Sequence, residues 1–119
     1  MENERKKKKM SGTSTARWSE YKELNEPERH MALCQELNDI YTKKNHDYGD
    51  SFHVTYLEEG MAMPRIRLSD KLNRFKNLTR STEIQVNTES VRDTLMDLAN
   101  YALMTVLELD EEDAINGPQ

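Results

Sequence analysis

The sequence predicts an all-α fold, a small bundle of three long helices and one short one, completed by self-association. Three observations carry that prediction. Apolar residues recur at three- and four-residue spacings in four stretches, prolines and glycines sit near the ends of those stretches, and Ile84 and Val86 alternate too briefly to build a sheet.

The first helix is expected from Pro27 to Lys44, where a proline suited to a first turn precedes Leu33, Cys34, Leu37, Ile40 and Tyr41 on one stripe. Cys34 falls on that stripe and is expected to be buried. Gly49, within Asn45-His46-Asp47-Tyr48-Gly49-Asp50, is the natural stop. A short helix follows, with Ser51 as N-cap, Phe52, Tyr56 and Leu57 as a small apolar face, and Gly60 as its end. Pro64 opens the third helix, in which Leu68, Leu72, Phe75 and Leu78 share a side while Arg67, Asp70, Arg74 and Asn77 form a polar file. Residues 79–88 read as a loop.

The last helix is predicted from about Glu89 to Leu109. Val91, Leu95, Leu98, Ala99, Ala102, Val106 and Leu109 form its main stripe, and Asp93, Asp97, Asn100 and Met104 lie roughly opposite. Leu103, Met104 and Leu107 make its C-terminal half apolar nearly all round, so burial on more than one side is expected. A chain of 119 residues cannot enclose such a helix with three others, which is the reason to expect a homodimer or larger bundle.

Charge is uneven along the chain. Residues 1–17 hold six basic and two acidic residues and read as a disordered basic tail, while 110–119 read as a fraying acidic end. A single α-helical domain over 18–109 remains. Four consecutive lysines would give only weak, salt-dependent contact with nucleic acid, because the tail has no aromatic residue to stack on bases and the rest of the chain is acidic. Nothing approaches the apolar length of a membrane span, and Cys34 alone cannot form an internal disulfide, so no membrane partner and a cytoplasmic location are expected.

The placement of Asp93, Asp97 and Asn100 on a helix expected to be buried is the main chemical clue, since a buried carboxylate needs a cation or becomes neutral. Lys43, Lys44, Arg67, Lys71 and Arg74 are candidate partners, as is a divalent ion. Mg²⁺ held by Asp70, Asp93 and Asp97, with Asp47 near, would leave Lys44, Arg67, Lys71 and Arg74 for phosphate oxygens and His46, Tyr48 and Asn100 for sugar or base. The alternative is an internal salt-bridge network in which Asp70 pairs with Arg74, and Asp93 closes a capping box that starts at Ser90. Asp97 and Asn100, in mid-helix, are not explained by capping. His30, His46 and His53 share no metal-ligand spacing, so zinc is not expected.

Three segments together resemble a known pattern: Lys44-Asn45-His46-Asp47-Tyr48-Gly49, Arg67-Leu68-Ser69-Asp70-Lys71-Leu72-Asn73-Arg74, and Asp93-Thr94-Leu95-Met96-Asp97-Leu98-Ala99-Asn100-Tyr101-Ala102. They resemble the largely phage-borne nucleotide-modification-associated domain family of the first type, over about residues 28–109. The resemblance implies a nucleotide-related role without naming a reaction. A more distant likeness is to the all-α nucleoside triphosphate pyrophosphohydrolases of the MazG and dimeric dUTPase type, in which metal-binding acids come as Glu-x-x-Glu and Glu-x-x-Asp, often with Asn seven residues beyond the last Asp. Asp93 to Asn100 has that interval, while Ser90 stands where the second motif has Glu. The expectation is therefore a protein that binds a nucleoside triphosphate, with Mg²⁺-dependent hydrolysis to monophosphate and pyrophosphate as its reaction. The alternatives are a non-catalytic nucleotide-binding protein and a structural interaction domain.

Overall fold

The computed structural model describes residues 19–48, 50–80 and 88–117, with the side chains of Asp47, Tyr48, Thr88 and Glu89 excepted. The basic tail, Gly49 and most of the loop expected over 79–88 lie outside the described residues. Among the described residues there is no strand. After a helical turn over 19–22 come α1 (Glu26–Tyr48), α2 (Ser51–Glu59), α3 (Ala62–Arg80) and α4 (Thr88–Asn116). The all-α prediction holds. No helix is long and apolar enough to cross a membrane among the described residues.

The described residues through Ile40 form one compact unit and those from Tyr41 onward a second. In the first, α1 begins one residue earlier than the proline suggests because Asn25 caps it. The Asn25 side chain accepts from the Glu28 amide at 2.9 Å, and the Glu28 carboxylate accepts from the Asn25 amide at 3.0 Å, a reciprocal capping box. Arg29 donates through Nε to the Leu24 carbonyl and stacks over the Tyr21 ring at 5.7 Å, tying the entering chain to the helix. Cys34 is exposed, contrary to its place on the apolar stripe. A stripe marks the side of a helix, and neighbouring elements decide how much of it is covered.

In the second unit, α3 packs along α4, and α2 contacts both. The turn between α2 and α3 depends on Gly60, whose φ of 67° and ψ of −152° are reached cheaply only without a Cβ. Its amide donates to the Tyr56 carbonyl at 2.8 Å, and α3 begins two residues later. Pro64 is fully buried in the first turn of α3, where its missing amide hydrogen leaves no bond unmade. A Gly60→Ala variant is expected to lose about 1–3 kcal/mol of stability through backbone strain alone, since nothing lies within 4 Å of the added Cβ. Urea unfolding with an unchanged m-value would measure it, and an unaltered midpoint would show that the turn relaxes.

Four sequence expectations change here. Ser51 is the first residue of α2 and Asp50 precedes it as N-cap, with no side-chain capping bond. Helix α4 begins at Thr88, which places Ser90 inside it. Ser90 is therefore not the N-cap of α4, and its carbonyl accepts from the Thr94 hydroxyl at 2.7 Å. At its other end α4 runs seven residues past Leu109, through the acidic run expected to fray, because side chains from α2 engage it. The apolar girdle of α4 is only partly covered: Leu103, Val106 and Leu107 remain 50–53% exposed, so burial on more than one side is not reached within the chain.

Candidate functional site

Helical spacing on four elements converges on one cavity of about 400 Å³ within the second unit. The last two turns of α1 contribute Tyr41, Lys44 and Asn45, and the start of α2 contributes Ser51, Phe52 and Thr55. Met63 and Arg67 come from α3, and Asp97, Asn100, Tyr101 and Met104 from α4. Each set follows the three- and four-residue steps that place side chains on one face of a helix.

Asp97 is the electrostatic centre of this cavity. Lys44 Nζ donates to its Oδ1 at 3.2 Å, and Lys71 Nζ lies 3.0 Å from its Oδ2, so one carboxylate joins α1, α3 and α4. Partial burial pushes the Asp97 pKa up, but the hydrogen bonds from Lys71 and Lys44 and the charges of both outweigh it and hold the carboxyl below its ordinary range. Arg67, exposed at the cavity, has no carboxylate partner among the described residues. The cavity therefore faces its contents with an excess of cations in a chain whose formal net charge is −5. Along one wall the rings of Phe52 and Tyr101 stack, with centroids 6.1 Å apart and planes inclined by 23°. Asn100 is buried beside them.

The residues expected to act together divide. Lys44, Arg67, Lys71, Asp97 and Asn100 gather at or beside the cavity. His46 lies on the last turn of α1 and not in a loop, is exposed, and does not line the cavity. Asp47 and Tyr48 complete α1, but their side chains lie outside the described residues. Asp70, Arg74 and Asp93 are exposed and outside the lining, and Asp70 and Arg74 do not form the expected ion pair. Lys71, one step off the polar file of α3, turns inward with Arg67 four residues before it. Asp70, Asp93 and Asp97 do not bring three ligand atoms into one coordination sphere. Both Asp97 oxygens already face ammonium groups, so these residues do not fit the Mg²⁺ set expected of them.

A second cluster joins α2 to the C-terminal part of α4. His53 Nδ1 lies 2.9 Å from both carboxylate oxygens of Glu108, which is 7% exposed, and 3.9 Å from Glu111. Tyr56 donates to Glu112 at 2.6 Å, and that bond, with burial and the charges of Glu112 and Glu108, pushes its pKa up to about 12. The hydrogen bond to Glu108 raises the His53 pKa above its ordinary 6.5; burial opposes the shift, and the charges of Glu108, Glu111 and Asp50 add to it. Sequence spacing did not single out His53. The available signal was the Glu108-x-x-Glu111 interval, which sets two carboxylates on one helix face.

The sign of the His53 shift sets a pH dependence. Its contribution to stability is fully present below the ordinary pKa and is lost as pH rises through the raised one. Thermal melts from about pH 6 to about pH 9 should show a decline that His53→Gln flattens. Parallel curves for the two proteins would assign the decline to other groups.

Comparison with known proteins returns one finding of substance: a family described as nucleotide modification associated domain 1 matches residues 44–109. No curated protein and no solved structure matches the chain. The matched span begins at Lys44 and holds Arg67, Lys71, Asp97, Asn100 and Tyr101.

Proposed function

The chain belongs to the nucleotide modification associated domain 1 family, and from that premise we propose that its cavity binds a phosphorylated nucleotide, most specifically a deoxynucleoside triphosphate. The observation that carries the proposal is the pairing of cations with aromatic rings in a single cavity. Lys44 and Arg67 stand where phosphate oxygens can accept from them, with Lys71 held close by Asp97. The Phe52 and Tyr101 rings offer an apolar wall for a base, and the Asn100 amide carries both a donor and an acceptor for a base edge or sugar hydroxyl. A volume of about 400 Å³ lies within the range of small-molecule sites.

Asp97 has a positioning role in this reading. It holds the two ammonium groups at one place before the ligand arrives, which lowers the ordering cost of binding. Binding without hydrolysis is the function proposed, since hydrolysis through Mg²⁺ would require Asp97 to give up its lysines and Asp70 and Asp93 to approach it.

Titration with each deoxynucleoside triphosphate tests the reading by calorimetry and thermal shift. A ligand that binds only the folded chain stabilises it by about 2.7 kcal/mol at one hundred times its Kd. Absence of binding by every triphosphate and by pyrophosphate would leave the cavity as a structural ion-pair network. Incubation with Mg²⁺ or Mn²⁺ followed by product analysis addresses catalysis, where release of monophosphate and pyrophosphate would replace the binding function with pyrophosphohydrolysis.

A further inference from the structure

We propose that His53, Glu108 and Glu111 form a divalent-cation site between α2 and α4, separate from the nucleotide cavity and suited to an ion that accepts one imidazole nitrogen with carboxylate oxygens, such as Mn²⁺ or Zn²⁺. One ligand atom from each residue lies within 4.8 Å of the others. Ligand atoms bonded at about 2.0–2.2 Å around a tetrahedral ion stand about 3.3–3.6 Å apart, so a movement of about an ångström, taken up by the exposed Glu111 side chain, closes the set. The donors also have different surroundings. Glu108 is nine-tenths buried with both oxygens turned to the imidazole, whereas Glu111 is more than half exposed and leaves a path from solvent.

Charge supplies the second argument. Glu108, Glu111 and Glu112 fall on one stretch of α4, and the basic side chain that meets Glu108 and Glu111 is His53 alone among the described residues. Tyr56 gives Glu112 a hydrogen bond but no charge. A buried carboxylate and an exposed one thus share a single ring nitrogen, which leaves net negative charge at the cluster. A divalent ion entering there neutralises two carboxylates and takes the Nδ1 lone pair, with the imidazolium proton released to solvent. It would also clamp α2 to α4 beside Phe52, which adjoins His53 in sequence and forms part of the cavity wall.

The test is Mn²⁺ titration of the chelator-stripped full chain, read by calorimetry and by the electron paramagnetic resonance signal of free Mn²⁺. Mn²⁺ is the better first probe because Cys34 Sγ and His30 Nδ1, 3.8 Å apart, would compete for Zn²⁺. One saturable equivalent is expected, with proton release on binding. Glu111→Gln, at an exposed position that leaves the helices intact, should weaken it about tenfold or more, and His53→Gln should abolish it. Asp93→Asn should leave it unchanged. Absence of saturable binding, retention of full affinity in both cluster variants, or loss of binding in Asp93→Asn would each overturn the proposal. Nucleotide titration of the metal-stripped chain is read separately, so a failure of one site is not mistaken for a failure of the other.

Discussion

Replacement of Lys44 and Arg67 together by glutamine is expected to lower affinity for a deoxynucleoside triphosphate by about 10²–10⁴-fold, because each removes a charge-assisted hydrogen bond worth about 1.5–3 kcal/mol. Both side chains are exposed, so the helical content should survive. The loss is expected in binding, not in folding. Calorimetry with circular dichroism on the same samples separates the two, and the single variants should divide the effect between them. Wild-type affinity should also fall with added salt, while the double variant should lose most of that dependence, since fewer phosphate charges are neutralised. Affinity unchanged in the double variant would place the nucleotide elsewhere or remove it from the function.

Asp97→Ala should lower both stability and affinity. Stability should fall by about 1–3 kcal/mol, between the values for exposed and buried ion pairs, because the carboxylate shared by Lys44 and Lys71 is three-quarters shielded from solvent. Affinity for metal-free pyrophosphate should fall by about tenfold, since the two ammonium groups are no longer held at one place before the ligand arrives. A metal-ligand role for Asp97 predicts loss of metal-dependent binding instead, and that outcome would reverse the positioning role given to it here. The pH dependence follows from the lowered pKa of Asp97. Its contribution is present above the ordinary value of 3.8 and lost as pH falls through the depressed one. The stability gap between wild type and Asp97→Ala should therefore be widest near neutrality and narrow in acid. A constant gap in urea titrations at several pH values would assign the loss to packing.

Much of the site was legible as a set of residue types, and much less as a set of contacts. Asp97 and Asn100, placed in mid-helix where capping does not account for them, stood out in the sequence, and both line the cavity. Asp93 lies on the same apparent file but one turn nearer the start of α4, and it remains exposed outside the lining. On α3 the polar file through Arg67, Asp70 and Arg74 ran true as a helical face, yet the cavity takes Arg67 and Asp97 takes Lys71. Spacing assigns residues to a face; it does not say where along that face a neighbour begins and ends.

The ends of the helices follow the same division. Gly60 stops α2 for a reason contained in a single residue, the positive φ that a missing Cβ permits. Helix α4 continues to Asn116 for a reason 55 residues away, where His53 meets Glu108, and 56 residues away, where Tyr56 meets Glu112. By itself the sequence determined the helical class, the identity of most helical faces and the glycine-marked end of α2, because these depend on hydrogen bonds and side-chain spacing within one turn or two. Only the tertiary structure decided that Asp97 belongs to two lysines, that Phe52 and Tyr101 stack beside it, and that the acidic run is helix. Those outcomes depend on which segments pack together, and the free energy of packing is shared among residues that local periodicity cannot relate.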